Sequence, residues 1–194
     1  MRNSELERKT LETDIKAKLE IDGSGETSIE TGVGFFDHML KSLCRFALFD
    51  LELSVDGDLF VDQHHTVEDC GIVLGEALKQ AIGDKKGIER VGDCFFPMDE
   101  ALAFAAVDIS NRGWLVWDVD CPSGLVGDFP VELGEEFFRA LAINAGITLH
   151  IRLISGKNRH HILEAVFKAV GRAIGLAVMK SERFQGIPST KGNL

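Results

Sequence analysis

Six histidines occur in the chain, and four of them stand as two adjacent pairs, His64-His65 and His160-His161. A glutamate follows each pair at the same interval, Glu68 and Glu164, so His-His-x-x-Glu occurs twice, 96 positions apart in 194 residues. Imidazole nitrogens suit first-row divalent metals, and an added carboxylate moves the preference toward harder ions such as Mn²⁺. On a helix, the second histidine lies about 100° and the glutamate about 40° around the axis from the first. All three side chains of a copy then project into one arc. His38 and His150 complete an inventory of six imidazoles and two carboxylates, although each alone, one at a helix start and one on a strand, is ambiguous. The set divides into two sites of three histidines and one glutamate, with open positions of the kind that catalytic metal sites keep. One short match would carry little, because such patterns recur by chance. Two copies that use four of only six histidines carry far more.

The repeat is broken at one informative place. Lys168 lies about 80° from His160, on the same arc, whereas the first copy has Ile72 there. An ammonium on one metal-facing stripe only points to a substrate contact or an acid/base group.

The elements around these residues repeat as well. An alternating apolar segment precedes each pair, LFDLELSV at 48–55 and ITLHIRLI at 147–154, and reads as a strand. Asp62 and Asn158 stand two residues before the pairs as natural helix N-caps. Phe35-Phe36 and Phe137-Phe138 each open an earlier helical pattern, so an internal repeat is the economical explanation. The first half is expected to hold strands at 11–22, 26–33 and 48–56 and helices at 34–46 and 64–82. For the second half the expectation is strands at 92–97, 101–110, 113–120 and 146–155, with helices at 131–145 and 159–179. The halves divide as 1–91 and 92–180, with 181–194 as a substrate-binding tail. Segregated strands and helices of this kind give an α+β fold, a sheet with helices on one face.

Composition narrows the partners. Lys plus Arg is 21 against 31 Asp plus Glu, a net charge of −10 with no basic stripe, which argues against nucleic acid. No charge-free apolar run approaches the roughly 20 residues that span a bilayer. Four scattered cysteines without a CxxC pair suit a reducing compartment, and a cytoplasmic protein is expected.

The segments RKTLETDI, GVGFFDHML, GDLFVDQHHTVEDCGIVLG, PMDEALAFAAVDIS, EEFFRALAINAGITLHI, GKNRHHILEAVFKA and IPSTKG, in this order along the chain, resemble the imidazoleglycerol-phosphate dehydratase family of histidine biosynthesis. The resemblance implies a tandem repeat of βαβ-type units similar to ribosomal protein S5 domain 2. It implies a homo-oligomer of trimers built into a 24-subunit shell, with sites of two Mn²⁺ ions shared between subunits. The implied metal ligands are His38, His64, His65, Glu68, His150, His160, His161 and Glu164. Glu12 matches an acid/base residue at the substrate, Glu164 and Lys168 join it as catalytic candidates, and Lys168 also matches a substrate contact. Arg90, Arg112, Ser189 and Lys191 match a phosphate-binding set, and Asp99 matches a polar active-site position. Three places depart from the family pattern: Lys41-Ser42, Gln63, and the segment Ser110–Trp114 around Arg112.

The implied substrate is a small phosphorylated imidazole that loses water. Its reacting C–H has no neighbouring carbonyl, so direct deprotonation is slow. A metal-bound imidazolate could instead expel the adjacent hydroxide, give a diazafulvene-like intermediate and so acidify the next C–H. Two other classes compete. A di-metal hydrolase would release phosphate, and a metal storage or sensing module would need neither Lys168 nor a phosphate-binding tail.

Overall fold

The computed structural model describes residues 1–192. In the first half, β1 (Asn3–Lys9), β2 (Thr13–Glu20), β3 (Thr27–Glu30), α1 (Gly34–Ala47), β4 (Asp50–Gly57) and α2 (His64–Ile82) follow in order. The second half runs β5 (Val91–Met98), β6 (Ala101–Asp108), β7 (Trp114–Asp118), β8 (Leu125–Val126), β9 (Phe129–Pro130), α3 (Leu133–Ala145), β10 (Thr148–Ser155) and α4 (Arg159–Val178). The halves share one topology. Their sheets have the orders β1-β2-β4-β3 and β5-β6-β10-β7, and the last strand in each pairs parallel with its neighbour. The parallel pair is joined through α1 in one half and α3 in the other, the βαβ arrangement expected from the repeat.

Alternation explains the layers. Ile15, Ala17 and Leu19 of β2 and Leu51 and Leu53 of β4 are buried, while Lys16, Lys18 and Glu52 face outward. Each sheet therefore carries helices on its apolar face. Helix α2 packs on β1, β2 and α3, and α4 packs on β5, β6 and α1, so the helices lie between the two sheets. The repeated Phe pairs meet there, with Phe36 edge-on to Phe137 at 5.2 Å. Close approach of the helices requires glycine: a Cβ on Gly75 of α2 would stand 2.8 Å from the Leu141 carbonyl oxygen of α3. Gly171 of α4 meets the Leu43 carbonyl of α1 in the same manner.

The outer faces of the sheets differ in character. The first presents Glu5, Glu7, Lys16, Lys18 and Glu52, with Glu7–Lys16 and Glu5–Lys18 paired across strands. The second presents Val91, Phe95, Trp114 and Val116 to solvent. His150 stands within that face, opposite Ala106 on one neighbouring strand and Val116 on the other, two residues before the exposed Arg152–Asp118 ion pair.

Three local expectations need correction. The single strand expected at 11–22 is the second arm of a hairpin, and its first arm, β1, has Leu6 as its one apolar residue and so shows no period-two signal. The hairpin β8–β9 was not expected either, because two-residue strands carry no period; it exists in the second half only and places the buried Phe129 against Phe36. Finally, the N-cap position of α2 is Gln63, not Asp62, although the Asp62 carboxylate still accepts from the His64 N–H at 2.7 Å. Asn158 does cap α4, accepting from the N–H groups of His160 and His161. All four helices end within two residues of their expected limits.

Candidate active site

The two His-His pairs open α2 and α4, where the chain leaves the end of a sheet. Around α4, His160 Nε2 lies 3.0 Å and His38 Nε2 3.6 Å from Glu164 Oε2. These three residues bring one ligand atom each within 4.8 Å of one another, a spacing that fits a single ion. Phe35 packs edge-on against both imidazoles. The Lys168 ammonium reaches Glu164 Oε1 at 2.6 Å and lies 5.6 Å from the ring centres of both Phe46 and Phe96. Burial is the largest single influence on Glu164 and disfavours its charge. The hydrogen bond from Lys168, its charge, and the nearby His38 and His160 outweigh it and hold the carboxyl below its ordinary range.

The α2 cluster has a related plan. His64 Nε2 is 3.8 Å from Glu68 Oε2, one helical turn along. His65 Nδ1 is hydrogen-bonded to Asp58 Oδ2 at 3.0 Å, and its Nε2 faces Glu12 Oε1 at 3.8 Å. Glu12 sits in the β1–β2 turn. That turn is fixed because the buried Asp69 of α2 accepts from Thr13 and pairs with Arg8, both at 2.5 Å. The Glu12 carbonyl also accepts from the Asp58 N–H. On α4, His161 Nδ1 is bonded to Glu100 Oε2 at 2.7 Å and its Nε2 faces Asp99 Oδ2 at 3.7 Å. Asp99 and Glu100 form the β5–β6 turn, the second-half counterpart of the turn that carries Glu12. The hydrogen bond to its carboxylate raises the pKa of each second histidine, Asp58 acting on His65 and Glu100 on His161. Glu100, bonded to His161 and to the Asn158 N–H, is held down to about 2.

The phosphate candidates gather elsewhere. Arg90 makes a two-pronged pair with Asp108 and donates to the Pro188 carbonyl at 2.7 Å, which brings the segment bearing Ser189 and Lys191 alongside. Arg112 Nη2 is 3.7 Å from the same Asp108. Asp108 ends β6, and Asp99 and Glu100 precede its first residue. A strand of that length separates the two groups by roughly 23 Å at about 3.3 Å per residue. Within one chain, then, a small substrate cannot touch both the arginine group and the His161 group. Arg90 and Asp99 both hold left-handed backbone, with φ of 70° and 49°. Such conformations in non-glycine residues cluster at functional sites. A surface hollow of about 650 Å³ lies over the charged outer face of the first sheet and includes none of these residues.

Of the eight expected ligands, one chain gathers His38, His160 and Glu164. His64 and Glu68 form a second pair, His65 and His161 each sit apart on their own carboxylates, and His150 stands on the second sheet's outer face. Sequence reasoning missed Asp58, Glu100 and Asp108. Of the departures noted in the sequence, Gln63 donates to the Asp128 carbonyl of the β8–β9 turn, Ser42 is buried, and Arg112 stays largely exposed. Residues 193–194 of the expected tail lie outside the described residues.

The family model described as imidazoleglycerol-phosphate dehydratase matches residues 31–174. A protein of that name from Desulfitobacterium hafniense is 62% identical over 194 residues, covering all of this chain and 99% of the relative. One from Acetivibrio thermocellus is 55% identical over 193 residues, again with 100% and 99% coverage. The crystal structure of the Staphylococcus aureus enzyme of that name superposes with a TM-score of 0.84 at 41% identity, over 92% of this chain and 99% of that one. That of IGPD from Pyrococcus furiosus in complex with (S)-C348 gives 0.84 at 38% identity, over 97% and 100%.

Proposed function

Since the chain belongs to the imidazoleglycerol-phosphate dehydratase family, we propose that it is a hydro-lyase that converts D-erythro-imidazole glycerol phosphate to imidazole acetol phosphate in histidine biosynthesis. The observation that carries the reading is the duplicated site: two His-His-x-x-Glu copies whose second histidines each direct Nε2 toward a turn carboxylate, Glu12 or Asp99.

The donor set of six imidazoles and two carboxylates fits two Mn²⁺ ions, held by His38, His64, His65, Glu68, His150, His160, His161 and Glu164. The spacing of His38, His160 and Glu164 supports this, as does a Glu164 carboxylate kept ionised against its burial. Bound Mn²⁺ would supply Lewis acidity, lowering the pKa of the substrate ring N–H so that the ring can act as imidazolate. The chain's own residues do the rest. Arg90 and Arg112 offer planar forks to phosphate oxygens, and Lys191 and Ser189 add a point charge and a hydroxyl. Asp99 is a polar contact beside the ring. Glu12 and Lys168 move protons: one assists departure of the hydroxyl and the other takes the proton from the adjacent carbon. Phe46 and Phe96 flank the Lys168 ammonium, and Phe35 packs edge-on against the His160 imidazole.

The reading includes a homo-oligomer, of 24 subunits, in which neighbours share each site. The roughly 23 Å between the arginine group and the His161 group supports sharing. So does the position of His150 on a face that exposes Val91, Phe95, Trp114 and Val116 in one chain. A cytoplasmic location accords with four unpaired cysteines. Among the described residues, no helix is long and apolar enough to cross a membrane. The test is an assay of Mn²⁺-reconstituted protein with imidazole glycerol phosphate, following enolisable ketone. Metal-dependent ketone formation is expected; release of inorganic phosphate without ketone would mark a hydrolase and overturn the proposal.

A further inference from the structure

We infer that Asp58 and Glu100 are positioning residues that set the tautomer of the second histidine in each pair, leaving Nε2 of His65 and of His161 with a lone pair for the metal. The inference rests on the metal reading above. It comes from two hydrogen bonds of one kind in halves whose sequences differ at these points: His65 Nδ1 to Asp58 Oδ2 at 3.0 Å, and His161 Nδ1 to Glu100 Oε2 at 2.7 Å. An ionised carboxylate only accepts, so each Nδ1 must carry the proton. In the neutral ring the other nitrogen then has none, and only such a nitrogen binds a cation. Each Nε2 stands at 3.7–3.8 Å from a turn carboxylate, outside hydrogen-bond distance. The first histidine of the second pair differs, since His160 meets Glu164 through Nε2 itself. Carboxylates behind ligating histidines fix ring orientation and raise ligand basicity, and their loss costs metal affinity roughly 10- to 100-fold.

The two carboxylates are anchored differently, which makes the inference sharp. Glu100 Oε1 accepts from the N–H groups of Lys157 and Asn158, at 3.2 and 2.8 Å. Asp58 Oδ1 is buried and has no hydrogen-bond partner among the described residues. In Glu100→Gln, the carbonyl must stay on those two backbone donors, which turns the amide NH₂ toward His161 Nδ1. The ring must then accept there and carry its proton on Nε2, so the metal-binding lone pair is lost. In Asp58→Asn nothing pins the amide, and its carbonyl can still accept from His65 Nδ1–H. Asp58→Ala removes the acceptor.

The experiment titrates the metal-stripped full chain and its variants with Mn²⁺, following the electron paramagnetic resonance signal of the free ion. Thermal unfolding of each metal-free protein is measured in parallel. Glu100→Gln and Asp58→Ala are expected to raise Kd for Mn²⁺ about 10- to 100-fold. Asp58→Asn should stay within about threefold, and metal-free melting should be unchanged in Glu100→Gln, whose amide keeps every partner. Glu100→Gln binding within threefold of the unsubstituted chain, or Asp58→Asn losing as much as Asp58→Ala, overturns the assignment alone. Failure of the unsubstituted chain to hold Mn²⁺ overturns the metal reading and this inference with it.

Discussion

A ligand or substrate contact depends on what holds the side chain as much as on the side chain, and Lys191 illustrates this. Its backbone N–H donates to Ser189 Oγ at 3.2 Å, and the preceding Pro188 carbonyl is gripped by Arg90, itself a phosphate candidate. The tail is thus tied to the group it is proposed to serve. Removing one charge-assisted hydrogen bond costs about 1.5–3 kcal/mol. Lys191→Ala should therefore raise KM for the phosphorylated substrate roughly 10- to 100-fold while bound Mn²⁺ stays constant; steady-state kinetics with metal analysis reads both, and an unchanged KM removes Lys191 from the phosphate site. The histidine pairs, both glutamates and Lys168 were legible in the sequence because helical spacing alone puts them on one arc. Asp58, Glu100 and Asp108 were not. Glu100 lies 61 residues from His161 and Asp108 lies 18 from Arg90, so the fold, not any local pattern, makes them partners.

Helices and strands differed in how plainly they announced themselves. Apolar periodicity over 13 to 20 residues marks the four helices, and alternation marks the strands with a buried face. β1 was hidden because its outward residues are charged and its inward ones are mixed; its signal is the opposite charge on β2, visible only once the register is known. The glycines of α2 and α4 serve packing that helix propensity does not show. Glycine in a helix interior usually reads as a weakness of about 1 kcal/mol relative to alanine. Here Gly75 lets α3 approach, and a Cβ would also come within 2.9 Å of Asn144 Cβ. Gly75→Ala is accordingly expected to lower stability by about 1–3 kcal/mol through overpacking, against its helix propensity. A raised melting temperature in thermal unfolding would show that the helices can part at no cost.

Two outer faces of opposite character follow from one repeat, and the difference bears on assembly. The first sheet is laced with paired charges, whereas Phe95 and Trp114 of the second are 60% and 65% exposed. Phe95→Glu costs an isolated chain little at such exposure. Where copies meet there, it buries an unpaired charge at a cost of several kcal/mol. Light scattering should then find small species with unchanged circular dichroism and little dehydratase activity; an intact large assembly would exclude this face as the interface. Sequence reasoning reached the repeat but not this asymmetry, since outward apolar residues on strands read as core until the layers are known. One further asymmetry concerns the proposed substrate. An imidazole ring is nearly mirror-symmetric about the line through its C2 atom, so two matched sets of donors could receive it either way round. Lys168, whose ammonium lies 5.6 Å from the ring centres of both Phe46 and Phe96, has Ile72 as its opposite number. In the proposed site, a cation on one of the two His-His-x-x-Glu helices and not on the other would make the two placements unequal, so a duplicated framework could still distinguish the flank of the ring that bears the reacting carbons.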